Sequence, residues 1–258
     1  ELDAAAADAG LRVLVIAADV AKYALRSPGE PTQGAAAVAM LVSAEPALLE
    51  IEPASGVHTA DVDDFWRPND SATALVDGAL STATYLRTLT SAWDDLQTRR
   101  GLPASAIRAF AFHEPFTRMA AKAQERLSQH VGLPLDAIAL ALASSYNRRL
   151  GNSYTASLYV ALASLLDSDP DLQDQRLGLF SYGSGSVGEL FTGLVRGDGT
   201  GRDRVHAALD SRVPLGVDEY EELHAASISS GVDLDLPHVT AAPFRFAQPV
   251  VVTPHAGE

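Results

Sequence analysis

A chain of 258 residues, 47% hydrophobic and 20% charged, is long enough to bury one large core or two smaller ones and reads as globular. Its net charge of −14 would repel a polyphosphate backbone, which sets nucleic acid aside, and the lack of any cysteine excludes disulfides, a thiolate zinc site and a thiol nucleophile from this chain. No window approaches the roughly 18 uncharged apolar residues of a membrane span, and residues 1–10 carry no secretory or lipidation signal, so a cytoplasmic location is expected.

In chain order, residues 1–12 read as the end of a helix and 13–18 (VLVIAA) as a buried strand covered on both faces. A polar loop leads to a second apolar strand at 35–43, with which 48–52 is expected to pair. Residues 59–77 are rich in Asp, Pro and Asn and contain DDFWRP, the composition of a loop that faces a site. The spacing of Leu80, Tyr85, Leu86, Leu89, Trp93 and Leu96 predicts a helix over 78–100, ended by Gly101 and Pro103. A short strand at 107–112 precedes a helix over 114–130 with Pro115 in its first turn. A helix over 153–166 and strands at 176–181 and 187–196 follow, an alternation that implies an α/β sandwich. Beyond Gly197 the chain reads as acidic and helical to Pro237, then as a strand from Phe244 and a loose tail over 250–258.

Several motifs invite a function and fail on inspection. GSGSVG at 183–188 follows a strand, as a dinucleotide-binding turn does, but apolar β-like sequence follows where a helix should open. Asp167, Asp169 and Asp171 start like a calcium loop, yet Leu172 and Gly178 stand where glycine and a bidentate carboxylate are required. The seven histidines show no metal-ligand spacing, so no metal is expected. His113 ends an apolar strand before a helix N-terminus, a field that favours neutral imidazole; otherwise it merely caps the turn. Asn152 has a similar bland reading as an N-cap, and Arg118 with Lys122 one turn on is either a solvated face or a cationic patch suited to phosphates.

Seven segments, in order, resemble the 3-hydroxy-3-methylglutaryl-CoA (HMG-CoA) synthase family, above all its bacterial mevalonate-pathway members. They are VLVIAADVAKYAL (13–25), GEPTQGAAAVAML (29–41), DDFWRP (63–68), LVDGALS (75–81), FHEPFTRMAAKA (112–123), YNRRLGNSYTASLY (146–159) and LFSYGSGSVGE (179–189). The resemblance implies an α/β fold, a thiolase-like αβαβα sandwich, with residues 1–77 the remainder of its N-terminal half and 78–258 its C-terminal half. It implies Claisen condensation of acetyl-CoA with acetoacetyl-CoA and no cofactor beyond these substrates. His113 matches the family histidine that binds the attacked carbonyl, and Asn152 a residue near the acetoacetyl and thioester carbonyls. Asp19, Tyr23, Thr32, Asp64, Phe65 and Ser184 match positions lining the pocket, and Arg118 and Lys122 match the basic residues that meet the CoA phosphates.

The family's nucleophilic cysteine and base glutamate match nothing in this chain, and Ser or Thr would be a much poorer nucleophile at neutral pH. The resemblance therefore implies a chain that carries much of the acceptor pocket and needs a second polypeptide, or a further segment, for acetyl transfer. A homo- or hetero-oligomer, commonly a dimer in this fold, is expected. Two alternatives stand beside this reading: a synthase that installs β-branches on carrier-protein-bound polyketides, and a non-catalytic subunit that binds acyl-CoA or acts as a scaffold.

Overall fold

The structure, a computed structural model, describes residues 10–70, 74–197 and 202–225. Two compact units divide the chain, Glu1–Arg212 and Val213–Glu258. Of the second, the described part is a short helix, Val217–Ala225, in which Tyr220 meets His224 edge to face.

The first unit is built around one sheet. Its strands are β3 (Leu49–Ile51), β7 (Ala109–Phe112), β8 (Arg176–Gly183) and β9 (Val187–Val195), in the order β3-β9-β8-β7, with β4 (Gly56–Thr59) also on β9. The β7–β8 pair is parallel and the others are antiparallel. Long helix α1 (Gly78–Arg100) is the one predicted from its spacing. The Asp77 carboxylate accepts from the N–H groups of Ala79 and Leu80 at its start, and Gly101, at φ 61°, closes its end in the left-handed region that a side chain resists. Its buried face, Tyr85, Leu89, Trp93 and Leu96, packs with α2 (Met119–Val131) against Phe110, Phe112 and Phe180 of the sheet.

On the other side of the sheet lie α3 (Ala137–Ala143), α4 (Asn147–Leu150) and α5 (Ala156–Ser168). Leu158, Leu165, Leu177 and Leu179 form the second core there, each fully buried and worth roughly 2 kcal/mol on burial. The far side of α5 meets a two-stranded ribbon, β1 (Arg12–Ala21) antiparallel to β2 (Gly34–Ser43), where Val160 of α5 and Tyr146, just before α4, pack with Ala36 and Val38. Helix α6 (Arg202–Asp210) adds Leu209 and Val205 to that contact. Layers of helix, sheet, helix and ribbon result, four of the five in the expected sandwich.

The ribbon departs from the sequence reading. Residues 13–18 do form a strand, but among the described residues β1 and β2 pair only with each other. One face carries Leu14, Ile16, Ala18 and Val20 opposite Leu41, Ala39, Ala37 and Ala35, and it is open to solvent, with Leu14 and Ile16 each 62% exposed. The strand expected to be buried on both faces is covered on one face only among the described residues.

Three boundaries also differ. β3 pairs with β9 rather than with residues 35–43, and Glu52 just beyond it meets Arg176 of β8 and Arg100 at the end of α1. The helix expected from 114 starts at Met119, since the chain after β7 stays extended: His113 N–H donates to Phe180 O and Glu114 N–H to Ser157 Oγ. Proline at 115 also disfavours helical backbone at Glu114. Within 59–77, Phe65–Trp66 (β5) and Leu75–Val76 (β6) pair briefly. The readings for 1–9 and beyond 225 lie outside the described residues, and among those described no helix is long and apolar enough to cross a membrane.

Glu52 accepts from Arg176 at 2.7 and 3.0 Å, from Arg100 at 3.1 Å and from Thr192 at 2.6 Å. The Arg176 guanidinium, ahead of Arg100 and Thr192, holds its carboxyl down at about 2, against the cost of burial. A carboxyl held below its unfolded value makes the unfolded state bind more protons, so this contribution is present above the ordinary value of 4.5 and is lost as pH falls toward 2. Glu52→Ala should lower urea-unfolding stability at pH 7 by about 3 kcal/mol, with the difference from the parent shrinking as pH falls toward 2. The open ribbon face should bind the dye ANS, and Leu14→Lys with Leu41→Lys should reduce that fluorescence while far-UV circular dichroism is unchanged.

Candidate active site

His113 sits just past the end of β7. Its N–H donates to Phe180 O at 2.9 Å, its carbonyl accepts from Tyr85 Oη at 2.8 Å, and its ring Nδ1 meets Ser157 Oγ at 2.9 Å. The side chain is 8% exposed, and burial pushes the imidazole down to about 4 despite a hydrogen bond with the Tyr154 main chain. Neutral imidazole was the expectation, but its cause differs. Helix α2 starts six residues beyond His113, too far for its N-terminal field to act; desolvation dominates, and the helix end beside the ring is that of α5, through Ser157.

A turn at 151–155 brings Asn152 to the same place. Asn152 is 2% exposed; its Oδ1 accepts from Tyr154 N at 2.9 Å, its Nδ2 donates to Tyr23 Oη at 3.0 Å, and its N–H donates to Thr32 O at 2.8 Å. It therefore shapes a turn ahead of α5, whose cap is Thr155, rather than capping the helix itself. Tyr154 is held at φ 48°, a left-handed conformation uncommon for an aromatic residue. Backbone meets backbone here: a Cβ on Gly34 would lie 2.2 Å from Leu150 O, and one on Gly151 2.1 Å from Gln33 O, so neither position admits a side chain.

Around this turn Tyr23, Thr32 and Phe65, three of the residues expected to line a pocket, come together. Phe65 lies edge-on to Tyr23 at 6.4 Å and to Tyr154 at 6.5 Å between ring centroids. The Tyr23 N–H donates to Gln33 Oε1, and Thr32 Oγ1 donates to Gly29 O, which fixes its methyl and carbonyl directions. Burial, then the hydrogen bond with the Tyr23 hydroxyl, raises the Tyr154 phenol well above its ordinary range, with the Asp19 charge a smaller contributor. Asp19 itself is exposed on β1, its Oδ1 accepting from Val20 N.

Asp64 is fully buried, and its carboxylate accepts from Gly185 N at 3.0 Å and Tyr182 Oη at 3.3 Å. Its side chain thus anchors the β8–β9 turn that presents Ser184, exposed at the tip. The Tyr182 ring lies 6.4 Å from that of His113, which links this hairpin to the histidine. Because the GSGSVG segment is a hairpin turn between strands and opens no helix, it offers no helix N-terminus to a pyrophosphate. Arg118 and Lys122 are exposed at the start of α2, and Lys122 Nζ stands 5.5 Å from the Phe116 ring centroid. No described contact joins these two cations to the Asn152 turn.

Residues the sequence reading passed over stand close to the histidine. Glu114 is 2% exposed, Ser144 Oγ donates to its Oε1 at 2.8 Å, and desolvation raises its carboxyl to about 7 against the pull of Ser144, Asn147 and Arg148. A cleft of about 340 Å³ runs past Thr32, Glu114, Phe116 and Asn147, with Arg148, Arg149 and Arg212 on its walls. Ser157 and Tyr154 lie inside the segment that drew attention to Asn152, but a serine in an apolar helix gives no signal of a histidine across the fold. The arrangement as a whole offers a neutral ring donor or acceptor, an amide turn and an aromatic wall, the parts needed to hold a polarisable carbonyl.

Comparison with known proteins fits this geometry. Residues 140–225 match the family model described as hydroxymethylglutaryl-coenzyme A synthase C terminal. The hydroxymethylglutaryl-CoA synthase of Enterococcus faecalis is 43% identical over 232 residues, covering 87% of this chain and 61% of that protein. The polyketide biosynthesis 3-hydroxy-3-methylglutaryl-ACP synthase PksG of Bacillus subtilis is 31% identical, over 84% of this chain and 57% of that one. Among solved structures, an HMG-CoA synthase complexed with CoA superposes with TM-score 0.77 at 35% identity, covering 88% of this chain and 61% of that one. The HMG synthase of the curacin biosynthetic pathway, in complex with acetyl donor-ACP, gives TM-score 0.83 at 29% identity, over 92% and 62% of the two chains. The chain thus spans about 61% of the length of relatives such as the Enterococcus enzyme. With its thiolase-like α/β fold, ordered motifs and these relatives, this chain belongs to the HMG-CoA synthase family.

Proposed function

We propose that this chain forms the acceptor side of an HMG-CoA synthase, binding acetoacetyl-CoA for condensation with an acetyl group to give HMG-CoA. The observation that carries the proposal is His113, buried, neutral and pinned at Nδ1 beside the Asn152 turn. In the reaction, the carbanion of an acetyl thioester attacks the ketone carbon of acetoacetyl-CoA, whose oxygen becomes a tertiary alkoxide. A ring N–H at that oxygen stabilises the charge as it forms, acting as a hydrogen-bond donor that keeps its proton. Asn152 shapes the wall beside it, and Tyr23, Thr32 and Phe65 line the acyl end.

Acetyl transfer needs a thiolate, and the 258 residues contain no cysteine. The thiolate and the carboxylate base are therefore proposed to come from a second polypeptide or a further segment. Arg118 and Lys122, exposed cations in a strongly acidic chain, are proposed to meet the CoA phosphates. The charge-reversal pair Arg118→Glu and Lys122→Glu should weaken acetoacetyl-CoA binding by about tenfold or more in calorimetry and flatten its dependence on salt.

The decisive experiment mixes this chain with one bearing the family's cysteine and glutamate segment, and follows release of free CoA from acetyl-CoA plus acetoacetyl-CoA. Wild-type chain should restore release, and His113→Ala should lower the rate about 100-fold or more. Co-purification without CoA release would overturn the split-enzyme reading, and release unchanged by His113→Ala would support a scaffold. A carrier-protein substrate has one observation in its favour, the TM-score of 0.83 with the curacin pathway synthase. Faster turnover of carrier-bound acetoacetate than of acetoacetyl-CoA would select it.

A further inference from the structure

Ser157 is fully buried in the first turn of α5, and every polar group it carries is engaged. Its N–H donates to Tyr154 O at 3.0 Å, and its carbonyl accepts from Asn147 Nδ2 at 2.9 Å. Its Oγ accepts from Glu114 N at 3.0 Å and meets His113 Nδ1 at 2.9 Å. The hydroxyl is thereby fixed by its own helix, by α4 and by the strand that bears the histidine. An imidazole has two ring nitrogens and flips readily about its χ2 bond when neither is held.

We propose that Ser157 is a positioning residue that, beside the Tyr154 main chain that also bonds the ring, fixes the rotamer and tautomer of His113 by holding Nδ1 inside the protein. The main-chain N–H of Glu114 is the second element of the device. By donating to Oγ it opposes the χ1 rotation that would carry the hydroxyl away from the ring, since that rotation would also leave a buried donor unpaired. The same hydroxyl thus ties the residue after the histidine and the histidine ring to one point on α5. That His113 acts on an acceptor carbonyl rests on the function proposed above; that Ser157 sets the ring does not.

The test needs no turnover. In the chain labelled with ¹⁵N-histidine, long-range ¹H–¹⁵N spectra at pH 7 report which ring nitrogen carries the proton, and the His113 signals are those lost in His113→Gln. Wild type should show two widely separated nitrogen shifts, one protonated and one bare. Ser157→Ala should draw them together as tautomers exchange, and Ser157→Thr, which keeps the hydroxyl, should restore the separation. An unchanged separation in Ser157→Ala, or averaged shifts already in wild type, would overturn the proposal. Should Ser157→Ala fail to fold by circular dichroism, the nearly isosteric Ser157→Cys takes its place: a reduced separation supports the proposal, an unchanged one overturns it. Loss of CoA release with the ring signals intact would count against the proposed function alone.

Discussion

The fold hangs on the carboxylate of Glu52. It receives Arg176 from β8, Arg100 from the end of α1 and Thr192 from β9, so one side chain next to β3 gathers three elements that lie far apart in sequence. Two guanidinium groups that are largely withdrawn from water share this counter-charge beside the 49–51 segment, so removing the carboxylate would leave both unpaired. With β3 and α1 locked, β9 takes its place at the centre, β8 beside it, and β7 follows in parallel. The position of His113 is inherited from that order, because its backbone is gripped by Phe180 of β8 and by Tyr85 of α1.

The site is therefore assembled from two kinds of support. The histidine belongs to the rigid sheet, whereas Asn152, Tyr23 and Thr32 belong to the meeting of the β1–β2 ribbon with the turn before α5. Ser157 and Tyr154 bridge the two, one through its hydroxyl and the other through its main chain. Asp64 performs the corresponding task for the β8–β9 hairpin. Most of these bonds cross between elements, the one from Tyr154 N to Asn152 Oδ1 within the turn being an exception, and such crossing bonds give a small cluster its fixed geometry.

Much of this was legible in the sequence, for physical reasons that differ by element. Helix α1 declared itself through apolar spacing, an N-capping aspartate and a terminal glycine, all local signals. His113 and Asn152 were legible because family motifs carry them in recognisable surroundings. The start of α2 was misjudged because tertiary hydrogen bonds at His113 and Glu114 hold the chain extended where local preference would have begun a helix. The pairing of β3 with β9 was missed because it joins segments distant in the sequence, as does Glu52 in meeting cations more than 40 and 120 residues away. Glu114 and Ser157 were silent for the same reason: their roles lie in contacts between segments, and nothing in their own spacing encodes them.

The crossing of the ribbon with the 150–152 turn has a mechanical side. At Gly34 and Gly151 main chains touch with no side chain between them, and Asn152 N–H donates a hydrogen bond to Thr32 O. Side chains can yield by changing rotamer; abutting peptide planes cannot. The ribbon is then a lever whose short arm ends at the amide of Asn152 and whose long arm is the apolar sheet face turned to solvent. A body seated on that face would bear on the same ribbon whose other end abuts, main chain to main chain, the turn that holds Asn152.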